Sequence, residues 1–297
     1  MDAIKTTSLS KYYGSSRGII DMNLIVEQGD FFGFIGPNGA GKSTTIRTLL
    51  GLIAPSSGSA QLLGMDITRQ KESILSHVGY MPSEASFYPN MKVQDIIKFS
   101  ADLRHRDCHS EAQILCERLG LNVSKRIREL SLGNRKKVSI VCALQHMPEL
   151  CILDEPTSGL DPLMQREFYA ILEERNTNGA TIFVSSHILS EIQRYCRHAA
   201  VIRKGRLLAL DSTERLGHTD TKRVTLKGVN ALPNLPHIKN ITTDGDTLSF
   251  LYDGKLKELL NALTALPLTD ISITEPDLEE IFLHYYEEEN KYDSDKT

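Results

Sequence analysis

The chain has 297 residues, of which 40% are hydrophobic and 24% charged, and its formal net charge is −4. This composition is that of a globular protein with a sizeable core, and the weak charge argues against nucleic acid as a partner. No apolar run reaches the roughly 18 residues of a membrane span, and the N-terminus lacks the apolar centre of a secretory signal, so we expect a cytosolic protein. Residues 275–297 hold nine acids and two lysines, which is typical of a solvated tail. The five cysteines form no C-x-x-C pair, which favours reduced thiols.

Strands and helices alternate along the first 210 residues or so. Strands are predicted at Ile4–Ser10, Ile19–Val26, Phe31–Ile35, Ser59–Leu63, Leu150–Leu153 and Thr181–Ser185, and a hairpin at Ala199–Arg203 and Arg206–Leu210. Helices are predicted at Lys42–Leu50, Val93–Leu119, Leu130–His146, Gln165–Arg175 and Ser190–Arg197. This alternation predicts an α/β layered sheet. About 100 residues separate the strands at Phe31 and Leu150, whereas one crossover needs about 30, so a helical insertion is expected around Glu84–Gln145.

The pattern changes near Gly217 to one of short strands and helices. Strands are predicted at Arg223–Leu226, His237–Thr242, Thr247–Tyr252 and Leu268–Ile273, and helices at Lys255–Ala265 and Pro276–Glu288, the last capped by Thr274. The sequence therefore predicts two domains, one over residues 1–216 and a small α+β domain with the acidic tail over residues 217–297.

A glycine-rich run lies between a predicted strand and a predicted helix. It reads Gly36-Pro37-Asn38-Gly39-Ala40-Gly41-Lys42-Ser43-Thr44 and fits the pattern G-x-x-x-x-G-K-[ST] in the structural context that this pattern requires. Glycines let the backbone N–H groups curl around phosphate oxygens, and the start of the following helix favours the same anion. Lys42 would contact the β- and γ-phosphates, and the Ser43 hydroxyl would bind Mg²⁺. The alternative, an ordinary glycine turn before a helix, explains less of the run.

A second pair of candidate residues follows the apolar strand at Leu150. Asp154 stands at its carboxyl end, where it can hold the Mg²⁺ shell, and Glu155 follows as the candidate that polarises an attacking water. Alone, two acids before Pro156 are more often a solvated turn. Together with the phosphate loop they predict a P-loop nucleotide triphosphatase.

Further short motifs resemble those of the ABC ATPases over residues 1–211. These are Leu130-Ser131-Leu132-Gly133-Asn134, similar to the signature L-S-G-G-Q; Ser158-Gly159-Leu160-Asp161, similar to the loop after the acidic strand; Val78-Gly79-Tyr80-Met81-Pro82, similar to the segment before the glutamine loop; His187, matching the switch histidine; and Tyr13, matching the aromatic residue that stacks on adenine. Each is weak alone, but all occur in the order and spacing of the family.

The resemblance implies a P-loop fold with a mixed sheet core, an antiparallel β subdomain and a helical insertion. It also implies that two copies, or this chain and a paralogue, sandwich two ATP molecules with Mg²⁺. Each nucleotide would meet the phosphate loop of one subunit and Ser131, Gly133 and Asn134 of the other. His187 would stabilise the γ-phosphate and the attacking water opposite Glu155, and Asp161 would act across the dimer seam.

The chain departs from the family pattern at two positions. Ser83 stands where the family has glutamine and is too short to reach Mg²⁺ and water, so Glu84 is a conjectural substitute. Leu132 replaces the first glycine of the signature. As a hypothesis, either the dimer closes less tightly or the leucine faces away from the nucleotide.

The resulting functional prediction is an ATP-hydrolysing subunit that powers separate transmembrane permease subunits from the inner face of the cell membrane. The segment TEPDLEEIFLHYY resembles the extension found on ATPases paired with small export permeases, which favours export over import. Two alternatives are weighed: an ABC ATPase that does no transport, and a regulatory nucleotide-binding module with little turnover. The basic runs at Lys125–Arg128 and Arg135–Lys137 are interpreted as solvated helix faces rather than phosphate or partner contacts.

Overall fold

The computed structural model describes residues 1–14, 16–84, 86–217, 221–229, 235–264 and 266–274. The chain divides into two compact units, Met1–Thr213 and Glu214–Thr297. The predicted division into domains over residues 1–216 and 217–297 stays a prediction.

Strands and helices alternate along most of the first unit. The strands are β1 (Asp2–Tyr13), β2 (Ser16–Met22), β3 (Ile25–Glu27), β4 (Phe31–Ile35), β5 (Ser57–Leu62), β6 (Met65–Asp66), β7 (Val78–Met81), β8 (Leu150–Asp154), β9 (Thr181–Ser186), β10 (His198–Arg203) and β11 (Arg206–Ser212). The helices are α1 (Lys42–Leu49), α2 (Lys71–His77), α3 (Val93–Asp102), α4 (His109–Arg118), α5 (Leu132–Leu144), α6 (Pro162–Thr177) and α7 (Leu189–Tyr195), with a short 3-10 turn at Ile127–Glu129 before α5. Helix α8 (Thr213–Gly217) begins at the last residue of the first unit.

A six-stranded sheet forms the centre of this unit, in the order β11-β10-β4-β9-β8-β7. Neighbours from β10 to β7 run parallel, and β11 pairs antiparallel with β10 at one edge. Every residue of β4, β8 and β9 is buried, which fits their nearly continuous apolar sequences because a parallel sheet is covered on both faces. The rings of Phe32 and Phe183 stack across β4 and β9, with centroids 5.8 Å apart. The predicted α/β fold with a mixed sheet is confirmed.

A second sheet is built from the N-terminal strands, in the order β2-β1-β5-β6 with β3 also pairing with β1. Its pairings are antiparallel throughout, so the antiparallel β subdomain is confirmed as well. The single strand predicted at Ile19–Val26 is instead two strands, because Leu24 leaves the ladder between them and its N–H donates to the Thr6 hydroxyl at 2.8 Å.

Between β7 and β8, the helices α3, α4 and α5 form the insertion that was expected around residues 84–145. One prediction here is wrong: the helix expected over Val93–Leu119 is broken between α3 and α4. His105 takes the left-handed conformation with φ +51°, which ends a helix. The break falls in the run Arg104–Asp107, which offers no apolar side chain to hold a continuous helix against the core.

No element was predicted at α2 and β7, although both are present. Helix α2 is short, and Ile74 is its one buried residue, so its apolar pattern is faint. Strand β7 contains Gly79, which weakens a strand signal. The glycine is required there because a Cβ would lie 2.3 Å from the Ala143 carbonyl oxygen.

Ion pairs join the insertion to α6. Arg118 on α4 binds Glu167 at 2.6 Å and Glu174 at 2.5 Å, and Arg175 on α6 binds Glu111 on α4. These three pairs, which we call the α4–α6 ionic contact, link two elements far apart in the sequence.

The second unit contains a four-stranded antiparallel sheet in the order β13-β14-β12-β15. Its elements are β12 (Lys222–Lys227), β13 (Ile238–Asp244), β14 (Thr247–Tyr252), α9 (Leu256–Leu263) and β15 (Asp270–Thr274). Leu259 and Leu263 of α9 pack on buried side chains of β12 and β14, among them Val224 and Phe250. The predicted α+β character is confirmed, whereas the predicted helix Pro276–Glu288 lies outside the described residues. Within the described ranges, no helix is long and apolar enough to cross a lipid bilayer.

His146, just after α5, is buried. Because its pKa is shifted by burial, we expect the free energy of unfolding to depend on pH. Its Nε2 lies 3.3 Å from the Val78 carbonyl oxygen, and its Nδ1 has no partner among the described residues. Burial lowers the pKa of His146 to about 4, and the nearby Arg104 charge acts in the same direction. The unfolded chain, with a pKa near 6.5, therefore takes up this proton first as the pH falls.

We expect the free energy of unfolding to fall by roughly 3 kcal/mol between pH 6.5 and 4 on account of this residue, because the unfolded state binds more protons there. The variant H146Q keeps an N–H donor for Val78 and should lose this part of the pH dependence in urea unfolding. H109Q, at an exposed histidine, is the matched control. Equal pH slopes for H146Q and wild type would contradict the prediction.

Candidate active site

The glycine-rich loop leaves the centre of the sheet between β4 and α1. Gly41 has φ +110°, and a Cβ there would lie 2.9 Å from the Gly18 carbonyl oxygen. A Cβ on Gly36 would lie 2.3 Å from the Ile202 carbonyl oxygen. Glycine is therefore required at Gly41 by conformation and by space, and at Gly36 by space. The loop opens toward the carboxyl end of β4, the edge at which α/β sheets bind ligands.

Lys42, the first residue of α1, bends back into this loop. Its side chain is 6% exposed, and its Nζ donates to the Gly36 carbonyl at 2.5 Å and to the Pro37 carbonyl at 3.3 Å. The same nitrogen lies 3.1 Å from Glu155 Oε1, as an ion pair without hydrogen-bond geometry. The structure thus brings the predicted phosphate lysine and the predicted water-activating carboxylate together.

Glu155 is held by its backbone as well as by its side chain. It takes the left-handed conformation with φ +49°, which is costly for a residue with a branched or long side chain. Its N–H donates to the hydroxyl of Ser185 at 3.1 Å and to the carbonyl of the same residue at 3.2 Å. Its Oε2 lies 2.7 Å from His187 Nδ1. The carboxylate therefore lies between Lys42 and His187.

Asp154 ends β8 and is buried, and its Oδ1 accepts a 2.6 Å hydrogen bond from the Ser185 hydroxyl. Ser185 thus binds both acids, and sequence reasoning missed it because serine in a strand carries no distinguishing pattern. The Asp154 charge reaches Tyr80, whose pKa is raised by burial first and by this carboxylate second.

A hydrogen-bonded group holds the His187 segment in place. Glu191 Oε2 on α7 accepts from Thr157 Oγ1 at 3.0 Å, from Tyr169 Oη at 3.2 Å and from Ser186 Oγ at 3.3 Å. One carboxylate thereby ties the residues next to His187 to the loop that follows Glu155. No sequence pattern indicates this group, since its members are spread over four segments.

The signature segment and the Ser158–Asp161 loop pack against each other. Ser131 caps α5 by accepting from Asn134 N at 3.4 Å, and Asp161 caps α6 by accepting from Met164 N at 3.0 Å. A Cβ on Gly133 would lie 2.8 Å from the Gly159 carbonyl oxygen, so this contact requires glycine. Leu132 is 70% exposed, and its Cδ2 would touch a Cβ on Gly159 at 3.4 Å. Its side chain therefore leans over the loop of its own chain.

Tyr13 lies beside the start of α1. A Cβ on Gly18 would lie 3.1 Å from the Tyr13 ring and 2.9 Å from the Thr44 methyl group. The Tyr13 ring and Thr44 therefore lie close to each other around Gly18. The ring is half-exposed, as stacking on a base requires. Lys11 Nζ lies 5.4 Å from the ring centroid, a cation–π distance that sequence reasoning did not predict.

Lys136 on α5 is a buried cation that the sequence interpretation treated as solvated. Its Nζ donates to the Ser83 carbonyl at 2.7 Å and to the Glu155 carbonyl at 2.9 Å. Burial lowers the pKa of Lys136, whereas the charges of Asp154, Glu155 and Glu84 oppose that shift. A signal was present: Lys136 lies four residues before buried Ile140, on the apolar face of the helix.

The residues near the loop fit a Mg²⁺ ion that is bound together with phosphate. Mg²⁺ usually takes one or two protein ligands and completes its octahedron with phosphate oxygens and water. Buried Asp154 and the Ser43 hydroxyl on the first turn of α1 have the oxygen chemistry that such a site needs, and α1 packs on β8. Within the described residues, no group of three or more His, Cys, Asp or Glu side chains is arranged to hold a metal by itself. Ser83 engages Lys136 through its carbonyl, and Glu84 is exposed, so neither gains support as a further ligand.

Comparison with known proteins agrees with this geometry. A family model described as "ABC transporter" matches residues 19–158. The chain is 42% identical to the Bacitracin transport ATP-binding protein BcrA of Bacillus licheniformis, over 69% of this chain and 68% of that protein. It is 32% identical to the protein of the same name from Enterococcus faecalis, over 94% of each. A solved ATP-binding subunit of an ABC transporter is similar with a TM-score of 0.68 at 29% identity, over 72% of this chain and 91% of that one.

The contacts of Lys42 generate a binding prediction. We expect K42A to lower the affinity for Mg²⁺-ATP by about tenfold to a hundredfold, because a charge-assisted hydrogen bond contributes about 1.5–3 kcal/mol. Equilibrium titration with a fluorescent ATP analogue measures this. K98A, at an exposed lysine on α3, is the control. Unchanged affinity in K42A would contradict a phosphate role for this lysine.

Proposed function

Since this chain belongs to the ABC transporter family, it is an ATPase, and we propose that it powers a separate membrane permease for export. The support is the position of the Glu155 carboxylate, 3.1 Å from Lys42 Nζ and 2.7 Å from His187 Nδ1, at the mouth of the glycine-rich loop. This arrangement puts a base, a cation and an imidazole around the point where a γ-phosphate would lie.

ATP binds with its phosphates in the loop from Gly36 to Thr44 and its adenine against Tyr13. The phosphate oxygens replace the carbonyls and the carboxylate that Lys42 contacts, which frees Glu155 to accept a proton from water. His187 keeps the Glu155 side chain directed at that water. Ser43 and Asp154 would hold a Mg²⁺ ion, which would supply positive charge to the β- and γ-phosphates.

Catalysis requires a second ATP-binding subunit, either another copy or a paralogue. The chain holds one phosphate loop and one signature, and the signature residues Ser131, Gly133 and Asn134 lie at the start of α5, where N–H groups favour an anion. The exposure of Ser131 supports its facing a partner subunit. Asp161, beside Gly133 through Gly159, lies on the same face.

The permease is a transmembrane protein, and the chain works at the inner face of the cell membrane through it. Two relatives are named for bacitracin transport, which supports export and makes a bacitracin-like peptide antibiotic the first cargo to test. Co-purification with a membrane protein from detergent-solubilised membranes tests the partnership. Steady ATP turnover separates this function from a regulatory module.

Removing the charge of Glu155 tests its proposed role in catalysis. E155Q keeps the shape of the side chain but removes its negative charge, and the phosphate-binding groups of the loop are untouched, so ATP binding should persist. We expect turnover to fall by about a hundredfold or more, as is typical for loss of a general base. Phosphate release assays measure it, with E173Q on the exposed face of α6 as the matched control. Hydrolysis at the wild-type rate in E155Q would contradict the role of Glu155 as the general base.

The Leu132 side chain lies against Gly159 of its own chain. L132G should therefore leave ATP-driven dimerisation in the E155Q background within about threefold, that is, well under the 1.4 kcal/mol that a tenfold change represents. Analytical ultracentrifugation with and without ATP measures it. L132A, which keeps helix propensity, controls for the cost of glycine at the start of α5. A gain of tenfold or more would favour the hypothesis of looser closure.

A further inference from the structure

Lys136 is a cation whose two hydrogen bonds both go to main-chain carbonyls. Its side chain is 4% exposed, and its acceptors are the carbonyls of Ser83 and Glu155. Strands β7 and β8 are parallel neighbours, with Met81 opposite Leu153, so these carbonyls follow the ends of adjacent strands. Lys136 therefore joins the signature helix α5 to both strand ends at the edge where the catalytic groups lie.

The bond to the Glu155 carbonyl acts on a backbone that is already constrained. A left-handed conformation costs roughly 1–2 kcal/mol for an L-residue outside glycine, so it persists only where neighbouring contacts enforce it. Ser185 binds the N–H of Glu155, and Lys136 binds its carbonyl. The two peptide groups that flank the Glu155 side chain are thus fixed independently, and together they set the direction in which the carboxylate leaves the backbone.

The bond to the Ser83 carbonyl gives this position a connection that does not depend on its side chain. A short serine side chain cannot span to the catalytic groups, but its main-chain oxygen reaches them through Lys136 Nζ at 2.7 Å. The distance from Ser83 to the backbone of Glu155 is thereby bridged by one ammonium group. A displacement of the Ser83 segment, or of α5, is transmitted to Glu155 through that group.

We propose that Lys136 is a positioning residue for ATP hydrolysis, which holds the Glu155 backbone in its productive conformation and couples it to the Ser83 segment and to the signature helix. This rests on the proposed function, in which Glu155 activates water. Within the described residues, the hydrogen bonds of Lys136 Nζ go neither to the glycine-rich loop nor to the signature residues, so its loss affects the chemical step more than nucleotide binding.

The experiment compares K136M with K137M in the full-length chain. Lys137 is the next residue of the same helix and forms no hydrogen bond or ion pair within the described residues, so K137M is a matched control. In K136M we expect kcat to fall by about tenfold to a hundredfold, as is usual when a reacting group is misplaced. The Kd for a fluorescent ATP analogue should stay within threefold of the wild-type value, and K136R should recover part of kcat.

A second measurement reports the backbone directly. Hydrogen exchange of the segment 153–157 should become faster in K136M and stay unchanged in K137M, because the N–H of Glu155 loses the conformation in which Ser185 binds it. If K136M does not fold, K136Q, which retains an amide donor, replaces it in both measurements.

The outcomes separate this inference from the proposed function. Wild-type kcat and wild-type exchange in K136M, while E155Q is inactive, would overturn the inference alone. A parallel loss of kcat, nucleotide affinity and thermal stability would show that Lys136 is merely structural and would also overturn it. Full activity of E155Q would instead overturn the role of Glu155, whatever K136M does.

Discussion

The register of β9 between β4 and β8 is the constraint on which the rest of the site depends. In this parallel arrangement Ser185 lies opposite both Phe34 and Asp154, and Ser186 lies opposite Ile35. The chain therefore leaves all three strands at one level, and Gly36, Glu155 and His187 emerge side by side. A shift of β9 by one residue would turn the Ser185 hydroxyl to the other face, and both acids would lose their common partner.

Charge is balanced over short distances at this edge of the sheet. Asp154 and Glu155 are adjacent acids with little exposure, and two buried lysines, Lys42 and Lys136, lie close enough to act on them. Like charges so close would be costly in a low dielectric, so each acid needs a separate counter-ion or donor. Lys42 comes from the loop and Lys136 from the insertion. The two cations therefore tie two different parts of the fold to Glu155, because Lys42 pairs with its carboxylate and Lys136 binds its main-chain carbonyl.

The parts of this architecture that are local in sequence were predictable, and the parts made by distant residues were not. Buried strands such as Phe31–Ile35 are predicted by their apolar composition, and a phosphate loop is predicted by the spacing of its glycines. The break at His105 was missed because the helix propensities of a polar run do not reveal that one of its residues takes the left-handed conformation. Lys136 was misread because a charged side chain is usually solvated, and its acceptors are carbonyls, which leave no mark in the sequence. The catalytic, nucleotide and metal roles of the site residues stay predictions that await the variants described above.

The α4–α6 ionic contact has a mechanical consequence. Two of its three pairs are partly exposed and so contribute modestly to stability, on the order of 1 kcal/mol or less each, and they weaken as salt is added. Such ion pairs can exchange partners and re-form after a small rotation of α4 against α6. Interdigitated apolar side chains would have to separate before such a rotation. The strength of the α4–α6 ionic contact should thus vary with ionic strength, whereas the packing of α5 on β7 should not.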